Sequence, residues 1–199
     1  MLNLFRLVLI LSFFLSFSGV VKPSDPVVVA TAETGLDALR NEDEEFIPWT
    51  PYRKLSWEDF QSEPKRNTDA VASTSTALGI AYRVKNNVFK YEITCSFSKI
   101  KSWGLVKTPY ILAHEQGHFD ITEIFARKLH QAFQEYKFDK LTFRTDINNI
   151  YQRIVEEKET FQQAYDKITD HSRRRSEQMF WLETIEKILK ETEPYADYP

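Results

Sequence analysis

The sequence is short of cysteine, glycine and histidine: one, five and four residues in 199. A lone cysteine, Cys95, excludes an internal disulfide, so the fold must rest on its apolar core. Cys95 lies in the apolar run 91–97 and is expected to be a small buried hydrophobe rather than a nucleophile. Few glycines and no repeat exclude fibrous and low-complexity classes. An excess of positive charge is also missing. Lysine and arginine number 26 against 29 acidic residues, a net charge of −3 with the signs interspersed. Nothing here builds the field that attracts nucleic acid, and Arg173-Arg174-Arg175 reads as a solvated loop or helix start. An ordinary apolar and charged balance excludes both a disordered chain and a multi-pass membrane protein.

Residues 1–21 differ from the rest. Arg6 is their only charge before an apolar run from Leu7 to Phe17, the pattern of a secretory signal peptide. Cleavage near Ser18-Gly19 or at Ala30-Thr31-Ala32 would leave an exported protein, periplasmic or extracellular. An uncleaved leader would instead act as an amino-terminal anchor. Residues 22–46 carry no periodicity and read as a linker or arm, with the main domain at 47–199.

The domain opens with aromatics, Trp49, Tyr52, Trp57 and Phe60, of which Trp57-Glu58-Asp59-Phe60 suggests a short turn or helical piece. Thr74–Val84 and Val88–Phe97 read as a hairpin about Lys85-Asn86-Asn87. Three helices are expected over Thr108–Tyr136, Asp146–Asp170 and Ser176–Thr192, the second with a stripe of Ile147, Ile150, Ile154, Phe161, Tyr165 and Ile168. The class is therefore α+β, a small antiparallel sheet on a mostly helical carboxy-terminal half.

Within the first helix stands His114-Glu115-Gln116-Gly117-His118. Residues at i and i+4 share a helix face, so two imidazoles can converge on one Zn²⁺, as in zincin-type helices. Glu115 points to the edge of that face and can take a proton from a zinc-bound water of pKa near 7. Flanking apolar residues suggest a buried helix, and Gly117 is costly in mid-helix unless something must approach the backbone closely. The plainer alternative is a helix with two exposed histidines and a surface glutamate.

A catalytic zinc usually has three protein ligands. His130 lies too far along the helix and reads as a surface residue. His171 and Glu157 are the two candidates for the third place, too far apart on one helix to serve together. Asp120 and Glu123 suit supporting contacts or salt bridges. Tyr165 is either a core residue or a group that stabilises charge in the transition state.

His114 to Leu129 resembles a bacterial family of predicted secreted zinc-dependent proteases, known mainly as a domain of unknown function. The likeness extends to Leu55–Phe60, to the stretch Ser73–Ile80, and to Tyr165–His171 with Gln178 and Trp181. It implies that His171 is the third zinc ligand. The expectation is a secreted zinc metalloprotease acting on a protein or peptide, with Glu115 as general base. Two alternatives stay open: a zinc-stabilised binding module without catalysis, and an amidase directed at peptidoglycan.

Overall fold

The computed structural model describes residues 45–199 apart from 66–67. The expected signal peptide and nearly all of the arm lie outside the described residues. Among those described, no helix is long and apolar enough to cross a membrane.

The architecture is α+β, a small antiparallel sheet and three helices. Its strands are β1 (Phe46–Pro48), β2 (Ala72–Ser73), β3 (Thr76–Lys85), β4 (Val88–Ser98) and β5 (Trp103–Gly104). The helices are α1 (Pro109–Glu135), α2 (Phe143–Thr169) and α3 (Arg175–Glu191). Single 3₁₀ turns cover Trp57–Asp59 and Glu193–Tyr195.

β3 and β4 form the expected hairpin, in register from Thr76 opposite Phe97 to Lys85 opposite Val88. Lys85 belongs to the ladder, so the turn is the pair Asn86-Asn87, both at positive φ (52° and 60°). Asparagine tolerates that conformation, and two such residues match the twist of a tight hairpin. β1 adds to the free side of β4, Phe46 opposite Ser98, and begins one residue inside the stretch read as an arm. β2 and β5 make a separate two-stranded ribbon. Strands of two or three residues leave too little alternation in the sequence to be read.

α1 is the central element, with the sheet against one side and α2 and α3 against the other. Thr108 caps it, its hydroxyl accepting from the Ile111 N–H at 3.2 Å, and Pro109 takes the first turn, where a missing N–H is harmless. Ile121, Ile124, Phe125, Ala126 and Leu129 are at most 2% exposed and join Phe97, Phe119, Ile147, Ile154 and Ile185 in one core. Cys95 is buried there as expected, and burial pushes its thiol well above the usual range.

The helix boundaries agree with expectation to within one residue for α1 and α3, while α2 starts three residues earlier. Its buried face is Ile147, Ile154, Lys158, Tyr165 and Thr169, whereas Ile168 is exposed. His130 corrects the sequence reading: it is buried, with Nδ1 3.0 Å from the Tyr91 hydroxyl and Nε2 2.7 Å from Gln134 Nε2. The hairpin folds over that side of α1, which a helical wheel alone does not reveal.

Candidate metal centre

The motif residues sit on the second and third turns of α1, where α2 crosses it. His114 and Glu115 are buried and His118 half-buried. Both imidazole Nε2 atoms lie 3.1 Å from one atom, Asp166 Oδ1 on α2. The donor atoms of His114, His118 and Asp166 all fall within 4.8 Å of one another, close enough to share one metal ion. His171 reaches the same carboxylate oxygen, Nδ1 at 3.4 Å, and stands half exposed at the rim. One oxygen thus faces three imidazoles. Asp166 was given no role in the sequence, although it stands between Tyr165 and the other residues of the block that carried the family resemblance.

The orientation of His118 is set by Gln162. That amide's Nε2 donates to the His118 carbonyl (2.9 Å) and to Thr122 Oγ1 (3.3 Å). Its oxygen must therefore be the atom that faces His118 Nδ1, and it accepts the ring proton there. With Nδ1–H given to Gln162, Nε2 donates to Asp166 when the ring is protonated and presents the lone pair a metal requires when it is neutral.

Tyr165 is fully buried beneath the pair. Its ring stacks on His114 with centroids 4.5 Å apart and meets His118 edge-on at 5.0 Å. Its hydroxyl donates to the His114 carbonyl at 3.3 Å, so it supports the helix from below. This close approach explains Gly117, since a Cβ there would lie 2.6 Å from the Tyr165 hydroxyl and 3.0 Å from Cζ. The phenol is locked between two rings and cannot move aside cheaply. Gly117→Ala should therefore cost about 1–2 kcal/mol, the overpacking penalty exceeding alanine's helix preference. Urea denaturation measures it, and Tyr165→Phe in the same chain should return part of the loss.

Charges at the site are tightly linked. Burial opposes ionisation of Asp166, but hydrogen bonds and charge from His114 and His118 outweigh it and hold the carboxyl well below its ordinary range. Burial lowers His114 below the usual imidazole value despite Asp166. For His118 burial acts the same way, yet the Asp166 bond with the Asp166 and Glu115 charges raises it. Burial raises Glu115, partly offset by His118 and by Thr74. Glu115 Oε2 and His114 Nδ1 are buried without a hydrogen-bond partner.

A cavity of about 390 Å³ opens onto this group. One wall is the stretch 70–76 and the other is α2 with its following turn, including Lys158, Gln162, Asp166 and His171. The turn is unusual. Asp170, His171 and Ser172 all hold left-handed φ, at 50°, 49° and 71°. Such residues cost of order 1–3 kcal/mol each and persist only where neighbours impose them. Here the backbone bonds of His171 N–H to Asp166 O and Arg174 N–H to Thr169 O do so, with Arg173 tied to Asp69 O at 2.6 Å.

The other expected residues lie elsewhere. Glu157 is exposed on α2 and pairs with Arg153 at 2.9 Å, so it cannot reach the histidines. It is Lys158 that occupies the buried face one residue on. Asp120 accepts from Trp49 Nε1 and Gln116 Nε2, both at 2.8 Å, with Lys54 beyond. Glu123 pairs with Arg127 at 2.7 Å and accepts from the Tyr198 hydroxyl. Both are structural ion pairs rather than supports for the histidines.

Residues 40–172 match a family described as bacterial proteins of unknown function, DUF922. The chain belongs to that family. The matched region runs from before β1 to Ser172, so it takes in every residue that lines the cavity of this DUF922 chain. No curated protein and no solved structure matches the chain.

Proposed function

We propose that this chain is a zinc-dependent hydrolase of peptide bonds, an exported protease built on a zincin-type helix. Two imidazoles and a carboxylate converging at an open cleft make a donor set that suits zinc, and Gln162 holds His118 in the tautomer that presents Nε2. His114, His118 and Asp166 would hold the ion, with His171 at the rim towards the substrate. A zinc ion there supplies a Lewis acid that polarises the carbonyl and brings water ionisation to near neutral pH.

The observation that carries the reading is Glu115. It is a buried carboxylate with one oxygen lacking any partner, adjacent to the donor set and lining the cleft. Leaving such an atom unsatisfied costs stability and is expected where the group has work to do. Glu115 takes the proton of the attacking water as its oxygen adds to the carbonyl carbon. It returns that proton to the amine as the carbon–nitrogen bond breaks. Its raised proton affinity suits a group that must both accept and release at neutral pH.

The opposite wall favours a peptide. Val71 O accepts from Leu105 N–H at 2.9 Å, so Val71 turns its backbone towards β5. By the alternation of an antiparallel ladder, Ala72 turns its N–H and C=O the other way, where an extended chain could add as a strand.

The test is cleavage of unfolded protein and of labelled peptides by the zinc-loaded chain. Activity should vanish with a chelator and return with zinc. Zinc bound at one equivalent without cleavage of either substrate would reject the protease reading. Release of product from cell-wall fragments instead would make the same residues an amidase.

A further inference from the structure

Lys158 is a cation on the buried face of α2. It stands in phase with Ile154 and Tyr165, where the core would accept an apolar residue, and is only 7% exposed. Its ammonium pairs at 2.9 Å with Glu159, whose side chain is 54% exposed. Burying an ammonium is costly unless it is paired, and a partner half in water can be exchanged for another anion. Lys158 and Glu159 both line the cavity that holds the candidate metal centre.

The two walls of that cavity run in opposite directions. At one end Arg173 binds Asp69 O, which places residue 70 beside the turn of His171. At the other, Thr76 Oγ1 lies 2.7 Å from Thr122 Oγ1, to which Gln162 also donates. From Lys158 to Thr169, where α2 ends and the turn of His171 begins, is about 16 Å at 1.5 Å per residue. The facing stretch 70–76, strand only at Ala72–Ser73 and from Thr76, spans at most about 20 Å at 3.3 Å per residue. The cleft is thus long enough for about five extended residues, and Lys158, one helical turn beyond Gln162, lies towards its Thr76 end. Eight residues of helix separate Lys158 from Asp166, about 12 Å, or three to four residues of an extended chain.

We propose that this end of the cleft is an anion subsite, in which Lys158 exchanges Glu159 for a carboxylate of the bound peptide three to four residues from the metal centre. The proposal rests on the peptidase reading and names an acidic residue as the specificity determinant of its substrate. Glu159 acts as the internal competitor, holding the ammonium while the cleft is free and returning to solvent when substrate arrives.

The experiment is a positional scan in the zinc-loaded full chain carrying Glu115→Gln, read by binding of fluorescent peptides. Neutral hexapeptides with one aspartate at each position in turn are compared with the same peptides carrying asparagine. One position should bind about tenfold tighter as aspartate. Adding Lys158→Met should remove that gain alone and leave the asparagine peptides unaffected, while Lys158→Arg should keep it and Glu159→Gln should enlarge it. No gain at any position, or a gain that survives Lys158→Met, overturns the subsite. The peptidase reading fails separately: the Glu115 chain cleaves none of the peptides, although the aspartate peptide still binds through Lys158.

Discussion

Glu115→Gln should leave zinc content at the parent's level and lower peptide hydrolysis by about a hundred- to ten-thousandfold, the usual contribution of a positioned proton acceptor. Glutamine has the same shape but cannot take a proton, so the comparison isolates that one step. Because the glutamate is buried with one oxygen unpartnered, its replacement by a neutral amide should not lower the melting temperature. Elemental analysis, single-turnover kinetics and a thermal melt on the same preparation separate the outcomes. A variant that cleaves at the parent's rate removes Glu115 from the mechanism and leaves the cleft a binding site.

The second large effect concerns the metal itself. Asp166→Ala should reduce zinc affinity by more than about a hundredfold, since groups one shell further out already cost ten- to a hundredfold. His171→Ala should retain one zinc. The reason is geometric: Asp166 Oδ1 lies 3.1 Å from both motif nitrogens, whereas His171 stands half exposed beyond it. Competition with a chromophoric chelator gives the affinities directly. If His171→Ala loses the metal and Asp166→Ala keeps it, the donor set is three histidines and Asp166 is their anionic partner.

These two experiments bear on residues of very different visibility in the sequence. His114 and His118 could be read because four residues along a helix is a local spacing, independent of the rest of the fold. Gly117 could be read as a demand for close approach, although the sequence did not say that Tyr165 would make it. Asp166 could not be reached that way, because its place is set by how α2 crosses α1. The stripe along α2 was read through Ile150, Phe161 and Ile168 as well as the buried Ile147, Ile154 and Tyr165, a band wide enough to take in Glu157. The buried positions are Ile147, Ile154, Lys158, Tyr165 and Thr169, and two of these are polar enough to disguise the period. With that face corrected, Asp166 falls one step round the helix from Tyr165, towards the cleft. The main hairpin and all three helices were legible because they are long. β1, β2 and β5 were not, being two or three residues each, and β2 forms part of a wall of the cavity.

The three chain segments that meet at the candidate centre are far apart in sequence: 70–76, 114–118 and 158–171. The bonds that join the last two, from His114 and His118 to Asp166, span 52 and 48 residues. No shorter portion of the chain holds the complete group, and the first two segments leave the ribosome well before the third. A growing chain that has folded only as far as α1 has paired histidines but no third donor and no cleft. Whatever chemistry the centre performs is therefore confined in time as well as space, beginning only once α2 has docked against α1.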